Sequence, residues 1–270
     1  MAKPPYSRHQ RPDSRPDRYS PPDTVKIYGL RPILEAIAAG QTLSRVLLRR
    51  DAGGDILREV EQACKQDGIP IQRVPVQALN KFTGQEKHQG AMAFVSPVEF
   101  QNLESKVLAD FDDGKAPVYV LPVGVTDVRN LGSIARTCEC VGVDALLLPS
   151  KGTASLNADA VKTSAGALFH LNVVRVPHLM PALDYLQNSG FQLAGVYEEG
   201  EYTVMHMDFS DPIVLLLGAE GEGLPPEVQE RCDVSMRIPL LGKTASLNVS
   251  VAAGMVLYEV LRQRTSHLDI

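Results

Sequence analysis

Ile238-Pro-Leu-Leu-Gly-Lys-Thr-Ala-Ser-Leu-Asn-Val-Ser-Val-Ala-Ala-Gly254 is the stretch on which the reading of this 270-residue chain turns. An apolar strand end runs into a turn at Gly242, and a helix of small apolar residues then begins through Ser246-Leu-Asn248. Ser and Asn at a helix start accept hydrogen bonds from the free N–H groups of the first turn. Two of them around one Leu, behind a Gly-Lys-Thr loop, suit a cradle for a cofactor or substrate. They also suit a capped core helix.

Two further blocks lie upstream. In Leu215-Leu-Leu-Gly-Ala-Glu-Gly-Glu-Gly-Leu-Pro-Pro226 a buried strand empties into a loop of three Gly and two acids, and Pro225-Pro226 start a helix. In Gly124-Val-Thr-Asp-Val-Arg-Asn-Leu-Gly-Ser-Ile-Ala-Arg136 a strand end passes through a polar turn into a helix that carries Arg136 in its second turn. Around these blocks apolar runs alternate with amphipathic stretches. Strands are predicted over Val118–Val123, Ala145–Leu148, Leu171–Val174, Gln192–Val196 and Ile213–Leu217, and helices over 130–141, 157–167, 178–189 and 246–264. Short, wholly apolar strands between helices predict an α/β domain with a mostly parallel sheet covered on both faces. Such sheets bind ligands at the C-terminal ends of their strands, where all three blocks fall.

The first strand ends Leu121-Pro-Val-Gly-Val-Thr-Asp127, without the G-x-G-x-x-G of dinucleotide-binding folds. The later glycines come with Glu220 and Glu222, which would repel a phosphate but suit a cationic ligand.

In order and spacing the three blocks resemble the three motifs of the SpoU (TrmH-type) RNA 2′-O-ribose methyltransferases of the SPOUT class, over about Val118 to Arg264. The resemblance implies a C-terminal trefoil knot, a homodimer and S-adenosylmethionine as cofactor. It places Gly218, Ile238, Leu240, Leu247 and Asn248 in the cofactor pocket, and Arg136, Asn130, Glu220, Ser246 and Asn248 at the reacting centre. Methyl transfer to a ribose hydroxyl is an in-line displacement that requires alignment and charge stabilisation, and no metal. A guanidinium stays protonated, so Arg136 is expected to clamp a phosphate and stabilise the developing oxyanion. Asn130 is read as a residue that caps its helix or reaches the ribose. The chain departs from the family at Val128-Arg129, where many members have Pro and a polar residue, and at Ala219, where Asn is frequent.

Upstream, residues 25–99 predict a small α/β unit. Tyr28-Gly29, Leu34-Glu35-Ala36 and His88-Gln89-Gly90 resemble the L30e-like substrate-binding domain of longer SpoU enzymes, which points to the 23S rRNA guanosine methyltransferase branch. Arg45, Arg49 and Arg50 form either a phosphate-binding edge or a solvated strand terminus. Residues 100–115 read as a linker with room for a helical turn, and 116–270 as the catalytic domain. Residues 1–24, rich in Pro and Arg with little apolar content, read as a disordered tail that either contacts RNA weakly or solubilises the chain.

The net charge of −5 argues against a protein that coats nucleic acid but permits a local basic patch. No apolar run reaches the ~20 residues of a membrane span. The N-terminus has no signal-peptide character. Cys64, Cys138, Cys140 and Cys232 suit reduced thiols, so a cytoplasmic location is expected. The Cys138/Cys140 gap is not that of a metal or redox pair. The expected partner is RNA, 23S rRNA or else tRNA. A ribosome-assembly protein that kept the fold without catalysis is the other class considered.

Overall fold

Runs such as Ile213-Val-Leu-Leu-Leu217 are apolar on both faces, so they are stable only as central strands with helices above and below. The computed structural model describes residues 25–83, 88–244 and 246–265, which form two sheets. The proposed tail 1–24 lies outside the described residues.

The N-terminal unit comprises β1 (Lys26–Tyr28), α1 (Leu30–Ala38), β2 (Leu43–Arg49), α2 (Asp55–Gln66), β3 (Ile71–Val74), α3 (Val76–Thr83) and β4 (Ala91–Val95). Its sheet runs β1-β4-β2-β3, with only the β2–β3 pair parallel. Ile33, Val46, Leu57 and Val60 fill one face of that sheet, and Leu47, Leu79 and Phe94 the other.

Next come α4 (Leu103–Asp112), β5 (Val118–Pro122), α5 (Val128–Cys140), β6 (Ala145–Pro149), α6 (Ala158–Thr163), β7 (Val173–Val176), α7 (Leu179–Asn188), β8 (Gln192–Val196), β9 (Tyr202–Thr203), β10 (Ile213–Leu217), α8 (Pro226–Gln229), β11 (Val234–Arg237) and α9 (Val249–Arg264). These strands make one parallel sheet in the order β7-β6-β5-β10-β8-β11-β9. α5 and α9 pack together on one face. Leu183 and Leu186 of α7 pack on the other.

Three expectations change. The segment read as a linker is largely helix α4, capped by Asn102 and packed on the large sheet through buried Leu103 and Val107. Asp110 of this helix is buried with Lys106 and accepts a 2.8 Å hydrogen bond from Tyr119, so the helix is pinned to β5. The helix expected to reach residue 167 stops at Thr163, because Ala165 and Gly166 are left-handed (φ 52° and 86°). A 3₁₀ turn over Ala167–Phe169 follows and delays the next strand to Val173.

Candidate active site

Leu217 at the end of β10 is in register with Pro122 at the end of β5, so the loops after these strands leave the sheet side by side. Gly124 is left-handed (φ 76°), and a Cβ there would lie 3.2 Å from that of Ala219. The small residue at 219, a departure from the family pattern, therefore packs one loop on the other. Asp127 caps α5, its Oδ1 accepting from the backbone N–H groups of Arg129 (2.7 Å) and Asn130 (3.4 Å). Asn130 is thus not the cap, and its amide is free to face the second loop.

Asn248 caps α9, its Oδ1 accepting from the Ser250 N–H at 3.0 Å. Its Nδ2 donates to Asn130 Oδ1 (3.0 Å) and to Glu220 Oε2 (3.2 Å), and Asn130 Nδ2 donates to the same carboxylate oxygen at 3.4 Å. One residue from each of the three sequence blocks meets here, over 118 positions of chain separation. Neither amide can flip without losing its bonds, so the triangle is preorganised.

Beside it opens a cavity of about 370 Å³. Gly218, Ile238, Leu240 and Leu247 line it, together with Ser246 and Glu220. Asn248 does not line it and borders it through Glu220. At Gly218 the loop itself leaves no room for a side chain. A Cβ there would sit 2.2 Å from Gly223 C and 2.4 Å from Leu224 N, so the glycine is what lets the loop close on itself. The closure is held by Ala219 N–H to Gly223 O (3.1 Å) and Gly223 N–H to Ala219 O (2.8 Å).

Sequence reasoning missed the third wall, Val196-Tyr-Glu-Glu199. It follows β8, which pairs with β10, and its signal was two acids placed after an apolar strand. Four carboxylates, Glu198, Glu199, Glu220 and Glu222, consequently border the cavity.

Arg136 is exposed on α5 and has no hydrogen bond or ion pair among the described residues. It lies about 9 Å along the helix axis from Asn130 and roughly 120° around it, from the rise and turn of an α-helix. A single chain therefore does not bring Arg136 to the Asn130–Glu220–Asn248 triangle. Of the three N-terminal arginines, Arg45 stacks on Phe94 at 4.5 Å, Arg49 lies 3.0 Å from Asp51 and Arg50 is exposed. Among the described residues no group of three or more His, Cys, Asp or Glu is placed to hold a metal ion.

The family model of the SpoU rRNA methylases matches residues 117–258, and that of RNA 2′-O ribose methyltransferase substrate binding matches 26–101. An uncharacterized tRNA/rRNA methyltransferase of Synechocystis is 38% identical over 240 residues, 88% of this chain and 62% of that longer protein. A protein of Staphylococcus saprophyticus assigned to the TrmH family of tRNA/rRNA methyltransferases is 31% identical over 242 residues, 90% of this chain and 97% of its own. Among solved structures, the SpoU methyltransferase AviRb of Streptomyces viridochromogenes in complex with AdoMet is similar with a TM-score of 0.55 at 27% identity, covering 90% of this chain and 91% of AviRb.

Proposed function

Because the chain belongs to the SpoU rRNA methylase family, we propose that it transfers a methyl group from S-adenosylmethionine to a ribose 2′-hydroxyl of RNA. The observation that carries this reading is the cavity closed by Gly218, Ile238 and Leu247 beside the Asn130–Glu220–Asn248 triangle. The cavity suits the cofactor in size and charge. Its volume lies in the ~300–1,000 Å³ range of small-molecule sites. Its apolar walls suit a neutral adenine, and its rim of four carboxylates suits a cation. Gly218, Ile238, Leu240 and Leu247 would hold the cofactor, which when bound supplies a methyl group activated on a sulfonium.

The chain's own groups do the rest. Asn130 and Asn248, locked by Glu220, present fixed dipoles to the ribose, and Ser246 adds a hydroxyl at the cavity rim. Arg136 clamps a substrate phosphate and stabilises the negative charge that builds on the 2′-oxygen as its proton passes to solvent water and the oxygen takes the methyl group. It reaches a centre in a second copy of the chain. The support is that Arg136 stands clear of its own triangle, and that α9 leaves an apolar stripe of Val251, Met255 and Tyr258 exposed. A Cβ built at Gly254, beside this stripe, would lie 4.0 Å from Cγ2 of Thr137, the neighbour of Arg136. Two such stripes facing each other would build a homodimer with shared active sites.

The return of the chain from β11, beyond β8, to α9 packed on α5 supports the trefoil knot. The unit over 26–101 supports a long RNA substrate read by an L30e-like domain, of which a guanosine in 23S rRNA is the leading candidate and a tRNA ribose the second. A cytoplasmic setting suits four free thiols. Calorimetry with S-adenosylhomocysteine tests the cofactor assignment. One site per chain is expected, and a folded chain that takes up none overturns it.

A further inference from the structure

The two domains meet directly. Arg175 of β7 donates to Leu43 O at 2.6 Å and stacks on Phe100 at 3.9 Å. Ser150 Oγ donates to Gly68 O at 2.8 Å. Gly68 itself is left-handed (φ 63°), and a Cβ there would come within 2.5 Å of Pro177. Between the domains these contacts leave a crevice of about 730 Å³.

The lining is basic although the chain is acidic. Arg45 and Lys65 come from the N-terminal unit, and Lys151 and Arg175 from the large domain. Glu61 is the one carboxylate among the described lining residues, and it is already paired with Arg73. Arg45 has no hydrogen bond or ion pair among the described residues, and Lys65 and Lys151 are exposed. Burial pulls the Arg175 guanidinium down to about 10, against the weaker opposing pull of the Asp67 carboxylate. The Thr153 hydroxyl, also in the lining, is buried without a hydrogen-bond partner. A buried hydroxyl left unpaired is destabilising unless a ligand or water takes up its hydrogen bond.

The crevice lies next to the loop that opens the candidate active site. Its floor is the loop after β6, and Ala154 N–H in that loop donates to Val125 O at 2.9 Å, two residues before the Asp127 cap. β6 is the neighbour of β5, one strand spacing or about 4.8 Å away.

We propose that this interdomain crevice seats the sugar-phosphate backbone of the RNA strand flanking the methylated nucleotide. Lys65, Lys151, Arg45 and Arg175 take phosphate charge there, and the Thr153 hydroxyl donates to a phosphate or ribose oxygen. The site belongs to both domains at once. Recognition by the N-terminal unit and presentation of the target ribose are then coupled through one strand. The proposal rests on the RNA-methyltransferase reading above.

The test uses the full chain and a fluorescein-labelled, 12-nucleotide single-stranded RNA, read by anisotropy across a salt series. Lys65→Gln/Lys151→Gln changes two exposed side chains and is expected to fold, which unchanged S-adenosylhomocysteine affinity confirms. It should weaken binding about ten-fold at low salt, and shrink the slope of log affinity against log salt by about 1.4, about 0.7 per lost phosphate contact. Thr153→Val should weaken binding without moving the slope. Lys115→Gln, at the opposite end of β5, should change neither. Wild-type affinity and slope in the double variant, with RNA still methylated by the unaltered chain, overturn the crevice and leave the methyltransferase reading standing. An unaltered chain that neither binds nor methylates RNA overturns both.

Discussion

Replacing Gly218 by Ala adds one methyl group at a place with no room for it. The new Cβ would lie 2.2 Å from Gly223 C and 2.5 Å from Gly223 O, and a backbone cannot give way like a side-chain end. The loop has two responses. It can stay closed and bear an overpacking strain of about 1–3 kcal/mol. It can instead open and lose the two Ala219–Gly223 hydrogen bonds, about 1 kcal/mol each. The cheaper response wins, so the loss is about 2 kcal/mol. At roughly 2–4 °C per kcal/mol for a chain of this size, Tm should fall by about 4–8 °C with no ligand present. A strained closed loop shifts the Gly218–Gly223 wall of the cavity and an opened one removes it, so S-adenosylhomocysteine affinity should drop about ten-fold, a difference of about 1.4 kcal/mol. Differential scanning fluorimetry of the ligand-free variant and calorimetry together decide the matter. An unchanged Tm with weakened ligand binding would refute the loop-closure argument and mean that the glycine makes room for the ligand instead. Both quantities unchanged would remove this loop from the site.

Three other outcomes are expected. Arg136→Ala should lower turnover about 10²- to 10³-fold, the usual loss of one charge-stabilising donor, while S-adenosylhomocysteine affinity measured by calorimetry stays put; near-normal turnover would remove Arg136 from the centre. Tyr258→Glu, which puts a charge in the exposed α9 stripe, should convert a dimer to a monomer in sedimentation at micromolar concentration, and a wild type already monomeric there would refute the shared site. Iodoacetamide at pH 8 should label exposed Cys140 first. Burial pushes the thiols of Cys64 and Cys232 up to about 12 and about 11 and raises Cys138 further, so all three stay protonated and unreactive until the pH nears those values or the chain unfolds. Mass spectrometry of the first adduct checks this.

The parallel sheet was legible because its central strands are apolar on both faces. Gln192–Val196 and Ile213–Leu217 stand where that pattern puts them. Edge strands carry less signal. Val234–Arg237 alternates, Tyr202–Thr203 is two residues long, and neither stands out from a loop. Helix α4 looks like a linker in the sequence because two of its polar residues, Lys106 and Asp110, are buried and satisfy each other and Tyr119, a pairing that composition cannot reveal. At the site, cap chemistry located the beginnings of α5 and α9 but not which side chain caps. Asp127 takes that role on α5, which frees Asn130 for a contact 118 residues away. Glu198 and Glu199 went unnoticed because their place at the cavity follows from β8 lying beside β10, a fact of topology and not of local sequence.

Transfer of isotopically labelled methyl from S-adenosylmethionine to protein-free rRNA and tRNA, followed by digestion to nucleosides and mass spectrometry, tests the central claim most directly. The label should appear in 2′-O-methylated nucleosides, with guanosine from 23S rRNA carrying it, and should vanish with Asn248→Ala. Label on a base, or none in RNA from a folded chain that binds S-adenosylhomocysteine, would contradict ribose methylation.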